Sequence, residues 1–266
     1  MIKRLMTYLS SLLLVISLAA GCITYTATQA VQMELPAIHD GEKIIKYAVD
    51  DYETQKTVYT VSYDITNKQP FWVAYDLTAA ELAGDNSRKG KNFRPDENAH
   101  VPQADNNDYR NSGWTRGHLA PAADFKWSDE AMNDTFYFTN CSPQIEYFNQ
   151  TSWERLERRV RDWAKKFGTV YVVTGPIIGN AVNGKIGLNQ ITVPDAFFKA
   201  VLAKDGEGYQ AIGFIMENTS SQQPYTSCCV TIDDIEKITG FDLFHNLDDA
   251  IEGVVESSYN ARFWGI

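Results

Sequence analysis

Two side chains that can act on one phosphate stand two residues apart in Gly113-Trp114-Thr115-Arg116-Gly117-His118-Leu119-Ala120-Pro121. On an extended strand, residues i and i+2 project to the same face, so Arg116 and His118 would point together. Gly117 between them lets another backbone or a ligand approach closely. A guanidinium grips phosphate oxygens with a forked set of donors, and a cation beside an imidazole favours its neutral, basic form. The pair therefore suits phosphodiester chemistry, which needs an activated water, stabilisation of charge on phosphorus and help for the departing oxygen. His118 is the candidate general base. Taken alone, Arg-Gly-His also reads as a surface turn with a chance histidine.

More blocks follow in order. Phe136-Tyr137-Phe138-Thr139-Asn140-Cys141-Ser142-Pro143-Gln144 reads as a short aromatic strand entering a Pro-containing turn, and Phe148-Asn149-Gln150-Thr151-Ser152-Trp153-Glu154-Arg155-Leu156-Glu157 comes just after. The series Arg-Gly-His-x-Ala-Pro, Thr-Asn-x-x-Pro-Gln, Asn-Gln-x-x-Trp and Arg-Leu-Glu, within about forty-five residues, resembles the DNA/RNA non-specific endonucleases of the ββα-metal, endonuclease G-like group. The resemblance implies a metal-dependent endonuclease that cuts DNA and RNA without regard to the sugar and leaves 5′-phosphate ends. Two alternatives stay open: a weakened nuclease fold that only binds nucleic acid, and a phosphodiesterase for other substrates.

The resemblance also assigns roles. Asn149 becomes the one direct protein ligand of a single Mg²⁺, with Mn²⁺ or Ca²⁺ as substitutes; a neutral oxygen suits a hard ion that keeps most of its waters. As an Asn ahead of a helix it also reads as a cap, but Thr151 and Glu154 form a capping box that frees it. Glu157 is assigned to orienting water on the ion and Arg161 to phosphate; without the resemblance the two are an i,i+4 surface ion pair. Eight residues of helix separate Asn149 from Glu157 by about 12 Å, so Glu157 belongs to the outer shell. Arg88 is the first choice for a further phosphate contact and Arg94 the second, both also readable as solvated loop residues. Asn140 supports the geometry near the site or caps a turn. One departure stands out: Thr115 occupies the position before Arg-Gly-His where the family has Asp.

The chain has 266 residues, 44% of them hydrophobic, and a net charge of −10. An acidic chain argues against tight, scanning attachment to nucleic acid, whose phosphate affinity comes from Lys and Arg. It leaves room for a local basic cleft, and cations do cluster at Arg88, Lys89, Lys91 and Arg94 and at Arg155, Arg158, Arg159 and Arg161. Lys3 and Arg4 precede an apolar run from Leu9 to Ala20, which reads as a signal over residues 1–21. Leu18-Ala19-Ala20-Gly21-Cys22 resembles a lipobox, so the expectation is a bacterial envelope protein held to the membrane through lipidated Cys22, or else a secreted one; a homodimer stays open. Cys141, Cys228 and Cys229 remain, so at most one disulfide can form among them; Cys141 with Cys228, Cys141 with Cys229 and no pairing all stay open.

The elements that must position these residues follow from pattern. Residues 22–55 read as a tether and N-terminal segment, with the endonuclease domain over 56–266. Val58–Asp64 and Pro70–Tyr75 alternate as a hairpin split by Asn67-Lys68-Gln69. Asp85 to Ser112 is a long polar loop, and loops of that length usually carry function. Thr151–Phe167 is a helix with an apolar stripe of Trp153, Leu156, Val160, Trp163 and Phe167. Strands are expected at Val170–Pro176, Pro194–Leu202 and Tyr209–Met216, and a helix at Ile232–Gly240. Short strands mixed with few helices indicate an α+β fold: a mostly antiparallel sheet core with a ββα-metal finger and flanking helices.

Overall fold

Alternation along the central strands sends side chains to two separate cores, one on each face of a single sheet. Val73, Tyr75, Val170, Val172, Phe197, Val201, Ile212 and Phe214 fill one face; Trp72, Ala74, Val173, Phe198, Ala200, Leu202 and Ala211 fill the other. A strand buried on both faces needs no polar side, which explains the near-continuous apolar runs in the sequence.

The computed structural model describes residues 31–51 and 54–266, so the expected leader over 1–21 and Cys22 lie outside the described residues. In chain order the strands and helices are β1 (Lys43–Asp51), β2 (Thr54–Asp64), β3 (Gln69–Thr78), α1 (Asn106–Tyr109), β4 (Thr115–His118), α2 (Asp129–Asp134), β5 (Cys141–Gln144), α3 (Glu154–Phe167), β6 (Thr169–Ile177), β7 (Lys185–Ile186), β8 (Ile191–Thr192), β9 (Ala196–Asp205), β10 (Gly208–Glu217), β11 (Cys229–Val230), α4 (Ile232–Thr239), α5 (Asp249–Glu256) and α6 (Ala261–Trp264). Seven strands form the main sheet in the order β1-β2-β3-β6-β9-β10-β11, every neighbouring pair antiparallel. The fold is α+β with a large antiparallel sheet, as the patterning indicated. Within residues 22–55, read as tether and N-terminal segment, Lys43–Asp51 is β1 of that sheet.

α3 lies on the first face, burying Leu156, Val160, Trp163 and Ala164, and Gly168 ends it with φ 87°, a left-handed conformation that suits glycine. α6 returns to this face, where Trp264 packs edge-on against Trp163 at 4.7 Å and accepts its indole N–H at 2.8 Å. α4 and α5 cover the second face through Ile232, Ile235 and Val255. The short antiparallel pair β4–β5, followed by α3, supplies the expected ββα unit.

Two local expectations are corrected, and the open question of thiol pairing takes its unpaired outcome. The strand expected at Phe136–Gln144 is only Cys141–Gln144, preceded by a 3₁₀ turn over Phe138–Asn140, with Pro143 inside the strand opposite Arg116. The Thr151–Glu154 capping box is absent: the chain is already helical at Tyr147, makes a wide π turn over Phe148–Trp153, and Thr151 Oγ1 donates back to Tyr147 O. A hydroxyl engaged with the i−4 carbonyl cannot cap. Cys141, Cys228 and Cys229 are all free thiols. Cys141 is buried in β5, where its sulfur meets the Tyr109 hydroxyl at 3.5 Å, while Cys228 and Cys229 sit at the start of β11.

Candidate active site

β4 is extended because it pairs residue by residue with β5, Thr115 opposite Gln144 and His118 opposite Cys141. Gly117 is required there: a Cβ would fall 2.1 Å from the buried Gln144 side chain. Beyond the strand, Asn140 accepts from Ala120 N at 2.8 Å and donates to Ala120 O and Thr135 O, both at 2.9 Å. Asn140 is fully buried and does not line the cavity that His118 borders, so its place in the site is indirect. It fixes the chain that leaves His118.

The imidazole of His118 packs against Phe93 at 4.5 Å and Phe136 at 4.8 Å between ring centres. Its Nε2 is buried without a hydrogen-bond partner, which leaves Nδ1 as the nitrogen open to the cavity. Burial, and then the nearby Arg88 guanidinium, push its pKa down to about 3. The ring is therefore neutral at physiological pH, in the form that accepts a proton. A phosphate anion seated beside Arg88 would offset that guanidinium and make the base stronger.

Asn149 sits within the π turn, which turns its side chain toward β4; such bulges in helices recur at functional sites. Asn149 Nδ2 donates to Thr115 Oγ1 at 3.1 Å, and Thr115 Oγ1 donates to Gln144 O at 2.9 Å. With the amide nitrogen so engaged, the carbonyl oxygen of Asn149 is left for a ligand.

One turn into α3, Glu157 and Arg161 share a helical face with a set of charges that sequence reasoning left unassigned. Arg161 Nη1 donates to Asp124 Oδ1 at 2.8 Å, and the Tyr75 hydroxyl donates to Asp124 Oδ2 at 2.9 Å. Lys199 comes from β9 on the same sheet face as Phe197 and Val201. It is 1% exposed, its Nζ has no hydrogen-bond partner, and it lies 4.7 Å from the Trp153 ring centre. Burial pushes Glu157 up to about 7 against the pull of Lys199. The same burial pushes Lys199 down to about 8. Burial also raises Asp124, outweighing its ion pair with Arg161. Two carboxylates and two cations thus balance one another, with Asp124 and Lys199 out of water and Glu157 and Arg161 at the cavity wall. A lone Lys in the apolar run Ala196–Leu202 was the signal in the sequence for Lys199.

Arg88, Arg116, His118, Asn149, Glu157 and Arg161 line one cavity of about 320 Å³ together with Glu154. Six of the seven expected residues thus converge, and Asn140 stands behind them. Arg88 lies over Phe136 at 5.6 Å, and Arg116 is held by Asn106 Oδ1 at 2.8 Å. Arg88 and Arg116 also border a neighbouring cavity with Lys91 and Asn92, so cations continue along the surface. Arg94 is elsewhere, stacked on Tyr137 at 4.0 Å and bonded to Asn133 O at 2.9 Å. Its work is structural.

Residues 41–250 match the profile of the family described as DNA/RNA non-specific endonuclease. Human mitochondrial endonuclease G is 36% identical over 195 residues, 68% of this chain and 66% of that protein. Zebrafish (Danio rerio) mitochondrial nuclease EXOG is 37% identical over 205 residues, 71% of this chain and 59% of that protein. Mitochondrial nuclease 1 of Schizosaccharomyces pombe is 31% identical over 259 residues, 84% of this chain and 77% of that protein. The chain thus spans 66% of the human endonuclease G length. Among solved structures, one described as an EndoG/EndoGI complex addressing the mechanism of EndoG inhibition superposes with a TM-score of 0.71 at 27% identity, over 85% of this chain and 96% of that one. The relatives are mitochondrial nucleases, which overturns the expectation of a bacterial, lipid-anchored envelope protein or its secreted alternative. A basic start followed by an apolar run does not by itself fix a compartment, and the lipobox reading already had Ala19 where a large aliphatic residue is usual.

Proposed function

Because the chain belongs to the DNA/RNA non-specific endonuclease family, we propose that it is a divalent-metal-dependent endonuclease that hydrolyses phosphodiester bonds of DNA and RNA and leaves 5′-phosphate ends. The convergence of His118, Asn149, Glu157 and three arginines on one cavity carries this reading. The fit to a divalent ion rests on two observations. The Asn149 amide nitrogen is committed to Thr115, so its oxygen is the available donor. Glu157 faces the same cavity with its charge disfavoured by burial, which a nearby dication would relieve. When bound, Mg²⁺ or a similar ion supplies Lewis-acid stabilisation of charge on the phosphate oxygens.

The remaining work belongs to the chain. Arg88 and Arg116 hold the phosphate by charge-assisted hydrogen bonds at one end of the cavity. His118 takes a proton from the attacking water at Nδ1, a form of help worth about 10²–10⁴ in rate. Glu157 accepts a hydrogen bond from water beside Asn149 and so orients it. Asp124 keeps Arg161 aimed at the cavity, where its second face meets the developing charge. The cations on the surface beyond Arg116 follow a nucleic-acid backbone without reading bases, in keeping with low sequence preference. An assay of plasmid DNA and RNA across a metal panel, with EDTA as control, tests the function. The expected result is EDTA-sensitive cleavage of both polymers; cleavage that survives EDTA, or none with any divalent ion, contradicts it.

A further inference from the structure

We infer that the α4–α5 corner, on the sheet face opposite the candidate active site, is a second cation site in which Asp233, Glu236 and Glu256 bind a divalent ion of the Ca²⁺ type. Asp233 and Glu236 stand at i and i+3 on α4 and so share one helical face. Glu256 ends α5 and comes at them from the neighbouring helix. One carboxylate oxygen from each lies within 4.8 Å of the others. A single ion with Ca–O contacts of about 2.3–2.6 Å bridges such a span, whereas the roughly 2.0–2.1 Å of Mg²⁺ reaches less far.

The buried member of the trio marks this as more than a patch of surface acids. Glu256 is only 7% exposed, and its Oε1 is sealed from solvent with no hydrogen-bond partner. Glu252, one turn earlier on α5, likewise buries its Oε1 unpartnered. Glu236 already accepts from Leu243 N at 2.7 Å, which fixes its carboxylate in place. Among the described residues no Lys, Arg or His forms an ion pair with Asp233, Glu236, Glu252 or Glu256. Burial first, and then Glu236, Glu252, Asp233 and Asp242, push Glu256 up to about 9. A buried anion in such company needs a cation or a proton. Donors that are all carboxylate oxygens, from two separate helices, select a hard ion with a flexible shell, completed by water. Its effect is to tie α5, and the C-terminal chain that follows it, to α4.

Calcium-dependent melting of the full chain, stripped with EDTA and titrated with CaCl₂, tests the site. The expected result is a Tm several degrees higher at saturating Ca²⁺, since a ligand that binds only the folded state stabilises it. Asn149→Ala, which removes the candidate catalytic ligand, keeps that rise. Glu256→Gln and Asp233→Asn each remove it; Glu256→Gln also raises the metal-free Tm near neutral pH, because Gln needs no proton to be buried there. Plasmid cleavage with Mg²⁺ by Glu256→Gln stays at the parental rate. The proposal is overturned if Ca²⁺ leaves the parental Tm unchanged, or if the rise is lost in Asn149→Ala and kept in Glu256→Gln and Asp233→Asn.

Discussion

Asn149 Nδ2 donates to Thr115 Oγ1 at 3.1 Å, which ties the candidate metal ligand on the π turn to the strand that carries His118. The position before Arg-Gly-His, where the family resemblance puts Asp, is thus occupied by an acceptor that orients the Asn149 amide. Thr115 does this while its own proton goes to Gln144 O.

Thr115→Val removes both hydrogen bonds and keeps the shape. The Mg²⁺ concentration for half-maximal cleavage should rise about 10–100-fold, the usual cost of losing an outer-shell partner. Thr115→Asp keeps an acceptor for Asn149 and should stay near the parent. Titration of cleavage rate against Mg²⁺ decides it, and an unchanged midpoint in Thr115→Val removes Thr115 from the site.

Glu157→Gln should stabilise the metal-free protein at alkaline pH while lowering its activity. The Glu157 pKa is raised in the fold, to about 7 from an ordinary 4.5. The folded state therefore binds more protons than the unfolded one between those values, and the stability this group confers is lost as pH rises through 7. Gln never ionises. The variant's Tm advantage should be a few degrees at pH 8.5 and absent at pH 4, and an equal difference at both pH values contradicts the assignment.

Lys199→Met removes the cation that pulls the Glu157 pKa down from the buried side. The acidic limb of the kcat/KM profile against pH should shift to higher pH. A role in packing alone would lower the rate at every pH and leave the limb where it is.

Gly117→Ala places a methyl group 2.1 Å from the fully buried Gln144 side chain. Overpacking of this kind costs about 1–3 kcal/mol. β4 should shift, carrying Arg116 and His118 with it, and cleavage should fall at least tenfold, whereas Gly113→Ala, with open space around it, should affect stability alone. Rates and denaturant midpoints of the two variants test this.

Much of the fold lay open in the sequence because it rests on local period. Alternation over Val58–Asp64 and Pro70–Tyr75 gives β2 and β3, and the stripe from Trp153 to Phe167 gives α3. That His118, Arg116, Asn149, Glu157, Arg161 and Arg88 belong together was legible only through the family resemblance of their motifs, since residue types alone left most of them readable as caps, ion pairs or loop residues; in the fold all six line one cavity. What stayed hidden depends on distant partners. Asp124 and Lys199 are an unremarked acid and a strand lysine until β9 and α3 stack, and Tyr75 reaches Asp124 across 49 positions. Thr151 and Glu154 have capping-box spacing, but a helix that starts at Tyr147 leaves no end to cap. Thiol pairing stayed open because a count of cysteines holds no information about where Cys141 is buried.

The most direct measurement is Mg²⁺-dependent plasmid nicking by His118→Ala and His118→Asn, with circular dichroism and melting to establish that both fold. A loss of about 10²-fold or more in rate at unchanged fold is expected of a general base. Cleavage by either variant at the parental rate would contradict the assignment of His118, and with it the chemistry built on this cavity.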